Sequence, residues 1–208
     1  MTVAAEVDWT IFPGKGIGKL EFGMSATQVD ALSHTYGAVT GRMNDQISDE
    51  ILRGSLEKFG GAMTDEEKQS LIAACAESGP SADSVTETRG DPGLVLGYQA
   101  DRLAEIMSAE GQRPLFLEGK DIFSLSGLEL LTLLERLNGG PGRYASTEAA
   151  FDNLAISVAG FCVTDRAAGV QMLDKADERF QGRTVMLRSE PYRPEDGIDS
   201  FVTHSVLG

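Results

Sequence analysis

Residues 13–18 read Pro-Gly-Lys-Gly-Ile-Gly and run into Lys19, a composition that could cradle a phosphate. The spacing defeats that chemistry. A P-loop ending at Gly18-Lys19 needs glycine where Pro13 stands and Ser or Thr where Leu20 stands. A dinucleotide fingerprint opening at Gly14 needs glycine at the position of Lys19. No nucleotide cofactor is expected.

Metal and nucleophile chemistry fare no better. His34 and His204 are the two histidines, and neither stands in a ligand spacing such as His-Glu-x-x-His. No Cys-x-x-Cys occurs, and the acids at 174–178 lack the ligand spacing and central glycine of a calcium loop. No serine sits in Gly-x-Ser-x-Gly. Cys75 and Cys162 both lie among apolar neighbours, the setting of inert buried thiols rather than of nucleophiles or a disulfide. No catalytic residue, metal or cofactor is therefore assigned. A site assembled from scattered carboxylates stays open as the enzymatic alternative, since such groups meet in space rather than in sequence.

Binding chemistry is the better prospect. Tyr98, Arg143, Tyr144 and Phe161, with Tyr192-Arg193, are residue types that anchor protein interfaces if a sheet leaves one face open. Ordinary strand packing is the competing use. The net charge is −14, from 18 Lys and Arg against 32 Asp and Glu. That balance opposes non-specific binding to nucleic acid or to an anionic membrane, and it suits a basic protein partner. Residues 44–91 hold eleven acids and four bases, so half of the excess charge lies in less than a quarter of the chain.

The elements that must position these residues are legible in outline. Leu20 and Phe22 alternate with polar neighbours as in a short strand, after a loop at 13–18. Ser25 and Gln28 have the spacing of a capping box, which predicts a helix to about Tyr36, stopped at Gly37 in a left-handed conformation. A helical hairpin is expected over 44–80. Its first helix is capped by Ser48 and carries Ile51, Leu52, Leu56 and Phe59. Its second opens on the Thr64/Glu67 box and carries Leu71, Ile72 and Cys75. The outer faces of that hairpin would present Asp45, Asp49, Glu50, Glu57, Asp65, Glu66 and Glu67 to a partner. Strands follow at about 84–89, 94–99 and 102–108, the last two joined at Ala100-Asp101, with a short piece at 115–117. Ser126 and Glu129 open a second helix with Leu130, Leu131, Leu133, Leu134 and Leu137 in its buried stripe, ended by residues 138–142. Further strands are expected at 154–163, about 169–173, 183–189 and 200–206.

Shifting the chain by 101 residues places Lys19 on Lys120, Phe22 on Phe123, Ser25 on Ser126 and Leu32 on Leu133. The expectation is an α+β protein of two helix-plus-antiparallel-sheet repeats. Residues 1–112 form the first repeat, interrupted by the helical hairpin 44–80. Residues 113–208 form the second, and the two share one globular unit. The N-terminal stretch has no basic region followed by a long apolar run, and no segment approaches the length of a membrane span, so cytoplasmic residence is expected.

Pro-Gly-x-Gly-Ile-Gly, a strand, Gly23-Met24-Ser25 and a helix carrying Val29, followed by antiparallel strands, resemble the tandem-repeat β-lactamase inhibitory proteins. The pattern also looks like the single-repeat outer-membrane assembly lipoproteins of the small-protein-A type. It is similar to the openings of small bacterial cytoplasmic proteins regarded as toxin-immunity proteins. The second half departs from it, with Ser124-Leu125-Ser126 in place of Gly-Met-Ser. The resemblance implies a non-catalytic scaffold that acts by binding protein: an inhibitor, in particular an immunity protein neutralising a bacterial toxin. A small enzyme and a structural adaptor in a larger complex are the alternatives.

Overall fold

A computed structural model of the chain describes residues 8–45, 54, 56–58, 61, 63–78, 83–91, 93–165, 169–191 and 201–208. The fold is α+β and mostly sheet. It begins with β1 (Ile11–Phe12), β2 (Gly16–Ile17) and β3 (Leu20–Glu21), a small antiparallel sheet. The expected loop at 13–18 thus contains a strand. Gly16 makes this possible: a Cβ there would meet the Leu20 carbonyl oxygen at 2.0 Å, so the two chains approach only because glycine has none.

The Ser25/Gln28 capping box forms and opens α1 (Ala26–Asp30). The helix does not run on to Tyr36. Ser33 Oγ donates to the Asp30 carbonyl at 2.7 Å, and Leu32 leaves helical geometry before α2 (Ser33–Tyr36) resumes. A hydroxyl that bonds the backbone locally competes with the helical ladder in this way. Gly37 ends α2 with a positive φ, yet its ψ of 152° is extended rather than left-handed helical.

The chain then enters β4 (Val39–Asn44), an unexpected strand. Residues 54 and 56–58 are helical, and α3 (Asp65–Ser78) starts at its predicted box, with Thr64 N–H donating to Glu67 Oε2 at 2.7 Å and Glu67 N–H to Thr64 Oγ1 at 3.2 Å. Ser48, Ile51, Leu52 and Phe59 lie outside the described residues, as does the side chain of Cys75. Next come β5 (Ser84–Gly90), β6 (Gly93–Gln99) and β7 (Arg102–Ala109). Ala100 and Asp101 both take positive φ, the handedness that a two-residue hairpin turn requires.

β8 (Phe116–Leu117) and β9 (Lys120–Asp121) form a hairpin before α4 (Gly127–Asn138), whose Ser126/Glu129 box is present. Leu130, Leu131 and Leu134 of α4 are buried, and each such burial contributes roughly 1.5–3 kcal/mol. Leu133 is only partly buried and Leu137 is 37% exposed, so the apolar stripe is narrower than the leucine count suggests.

The remaining strands are β10 (Gly142–Ala145), β11 (Glu148–Phe151), β12 (Ile156–Ala159), β13 (Cys162–Asp165), β14 (Gly169–Met172), β15 (Thr184–Arg188) and β16 (Val202–His204). The single strand expected at 154–163 is divided. Its first residues close a short 3-10 turn, and Gly160 turns the chain with φ +80° where a Cβ would strike the Gly182 carbonyl oxygen at 2.1 Å.

Nine strands form one sheet in the order β16-β10-β11-β12-β15-β7-β6-β5-β4. Every pairing in it is antiparallel. β7 and β15 meet in the middle, so the strands from the two halves of the chain lie on either side of that junction. One face of the sheet packs into a core shared with α1, α4 and the small hairpins, through residues such as Leu96, Ile106, Val185, Val158 and Phe151.

Candidate functional site

The core-facing side of β5 carries two charged residues where apolar ones are usual. Glu87 and Arg89 are both fully buried. Arg89 donates to Glu87 Oε2 from Nε at 3.1 Å and from Nη2 at 2.9 Å, and Nη2 also reaches Asp30 Oδ1 on α1 at 2.6 Å. Arg42, directly across from Glu87 in the β4–β5 ladder, sets Nη1 3.0 Å from Glu87 Oε1, an ion pair without hydrogen-bond alignment. Burial alone would lower the affinity of Arg89 for its proton; hydrogen bonds to Asp30 and Glu87 outweigh it and raise the pKa. Tyr98 lies against this cluster with its hydroxyl unpaired, and burial first, then the charge of Glu87, raises its pKa. Glu87 is closed to substrate, because both oxygens face guanidinium groups and its side chain is 1% exposed. The cluster ties α1 and α2 to the sheet; it is not an acid–base site.

The interface anchors expected from the sequence divide sharply. Tyr98, Tyr144 and Phe161 belong to the core, the first two on strands and Phe161 in the turn between β12 and β13, with Tyr144 and Phe161 fully buried, so all three serve core packing and present no surface. The Tyr144 hydroxyl is unpaired, and its pKa is raised by burial, with smaller effects from Cys162 and Glu135. Cys162 is a free buried thiol whose pKa desolvation pushes up to about 12, the state of an inert thiol. Arg143 alone among the four reaches the opposite face of the sheet, where it pairs with Asp152 and lies 5.9 Å from the Phe201 ring centroid. Tyr192 and Arg193 lie outside the described residues.

That opposite face has its own order. Register places Arg143, Ala150, Ser157, Met186, Met107 and Val95 in one row across β10, β11, β12, β15, β7 and β6. In the next row Arg188 lies across from Glu105, with Nε to Oε1 at 3.0 Å. Val95, Met107 and Met186 are partly exposed and take no part in the core. Eight inter-strand gaps make the sheet about 38 Å wide; in this row Ala150 and Ser157 are buried, so the partly exposed apolar residues are confined to β6, β7 and β15. Sequence reading missed Met107, Met186, Arg188 and Glu105. The alternation Val185-Met186-Leu187-Arg188 was the available signal, since every second residue must leave the core.

Of the expected acidic docking residues, Glu57, Asp65, Glu66 and Glu67 are exposed. Glu67 is held below the ordinary carboxylate range by the Thr64 backbone N–H and hydroxyl, which gives that charge a capping use. Asp45 is half-buried and accepts from Ser84 Oγ at 2.8 Å. Asp49 and Glu50 lie outside the described residues. His34 and His204 are exposed. Among the described residues no group of three His, Cys, Asp or Glu could hold a metal ion, and no helix is long and apolar enough to cross a membrane.

Compared with known proteins, the chain matches no family model, no curated protein and no solved structure.

Proposed function

We propose that this chain is a non-catalytic inhibitor that binds another protein, an immunity protein neutralising a bacterial toxin in the cytoplasm. The observation that carries the reading is the sheet face opposite the core. It crosses both halves of the chain and brings the partly exposed Val95, Met107 and Met186 of β6, β7 and β15 together beside the Arg188–Glu105 ion pair. A partly exposed apolar patch bordered by an ion pair has the composition of a protein interface.

The finer architecture belongs to the same proposal. Residues 1–112 and 113–208 are two repeats, the first carrying a helical hairpin. Supporting this are the two capping boxes 101 residues apart and the meeting of β7 with β15 at the centre of the sheet. The exposed acids of residues 44–80 steer a basic toxin or effector toward that face.

Co-expression with the product of the neighbouring gene tests the reading in a growth assay. Restored growth is expected, and Met107→Asp with Met186→Asp should abolish it while the chain stays folded. Failure of the wild-type chain both to bind that product and to restore growth would refute the reading. Reversing Asp49, Glu50 and Glu57 to Lys should slow association and flatten its dependence on salt; an unchanged on-rate would remove the hairpin from the interface.

A further inference from the structure

We infer that residues 201–207 form a detachable edge strand, and that the groove they occupy accepts the same segment from a second copy of this chain. The groove is built by β10 and α4. β16 joins β10 through three residue pairs, Gly142 with His204, Arg143 with Thr203 and Tyr144 with Val202. Every residue of β16 is exposed. A ladder this short, with its hydrogen bonds open to water, belongs to the low-stability end of a structure.

What holds the segment is a few side-chain contacts beyond the ladder. Glu135 of α4, 4% exposed, accepts from the Val206 backbone N–H at 2.7 Å and from Ser205 Oγ. Val206 packs against the core. The His204 ring stands edge-on to Tyr144 with centroids 5.8 Å apart, and Phe201 lies beside the Arg143 guanidinium. These contacts specify the occupant: an extended strand with an aromatic residue, a hydroxyl and an apolar side chain at fixed spacing. Release would uncover the Tyr144 ring, which is fully buried, and leave the outer edge of β10 unpaired. An open strand edge is a template for another strand.

A second copy carries the matching segment. Thirteen residues separate Arg188 from Val202 in the sequence, and a chain of that length can span at most about 40 Å, while the strand order sets β16 four strands from β15, about 19 Å away. Chain length therefore permits the segment to reach a neighbour's groove, and reciprocal exchange closes a symmetric dimer.

Complementary variants test this. Glu135→Ala damages the groove and leaves the strand intact; Val206→Asp damages the strand and leaves the groove intact. Native mass spectrometry of the two full-length variants mixed should show a heterodimer exceeding either homodimer by about tenfold. Circular dichroism checks that each is folded, and Glu135→Gln with Ser205→Ala supplies a milder pair if either is not. Homodimers as abundant as the heterodimer, or no dimer in either mixture, would overturn the inference.

Discussion

Glu87 sits on β5 between two arginines, whereas Glu135 sits on α4 against a hydroxyl and a backbone N–H. Both are buried on the core side of the same sheet. Glu87 is neutralised by Arg89 and Arg42, and Arg89 extends the network to Asp30, so strands and helices of the first half are cross-linked by charge. Glu135 is satisfied by dipoles supplied by the segment it retains. Charge pairing makes a junction that is costly to open, because either partner left alone is an uncompensated buried ion. Hydrogen bonding to an edge strand makes one that opens at the cost of a few bonds. The first half is riveted, and the far edge of the second half is latched.

Breaking the rivet has the largest expected effect. Arg89→Met leaves Glu87 buried beside the half-exposed Arg42 and should cost about 3–5 kcal/mol in denaturant unfolding. Breaking the latch should cost less: about 1–3 kcal/mol for Glu135→Ala, with faster amide exchange in 202–206 and in β10 but not in β5. Equal losses from the two variants, or exchange spread over the whole sheet, would erase the distinction.

Smaller effects sharpen it. Ser126→Ala should cost about 1 kcal/mol, and Ser25→Ala less, because α4 has 12 residues and a buried leucine stripe while α1 has 5 residues. Thermal unfolding of both variants measures this, and a larger loss at Ser25 would contradict it. Acid should then act on the caps. The Ser126 hydroxyl and N–H lower the pKa of Glu129, and the Thr64 N–H and hydroxyl lower that of Glu67. A carboxylate whose folded pKa lies below its unfolded one stabilises the fold above the ordinary value of about 4.3 and loses that contribution as pH falls through the lowered one. The melting-temperature difference between the wild-type chain and Glu129→Gln should therefore shrink from pH 6 toward pH 2; a constant difference would show that Glu129 stabilises the helix without its charge.

Local signals were readable and long-range ones were not. The three Ser or Thr boxes and the Ala100-Asp101 turn need only neighbours three residues away, and all are present. β10 and β11 escaped notice because Gly142–Ala145 and Glu148–Phe151 are short and rich in Gly and Ala; they become strands by pairing with β12 and β16. Tyr98, Tyr144 and Phe161 carry the residue types of an interface and serve the core, because composition does not say which face of a strand is covered.

The sequence by itself determined where α1, α3 and α4 begin, where the 100–101 hairpin turns and how much charge the chain carries. Each follows from interactions within a few residues or from composition. Tertiary structure alone decided that Glu87 meets Arg42 and Arg89, that Met107 lies beside Met186, and that Glu135 holds the strand 71 residues beyond it. Those contacts depend on strand order and register. A shift of one residue would turn each of those strand side chains to the other face, and no local pattern records which strand lies alongside.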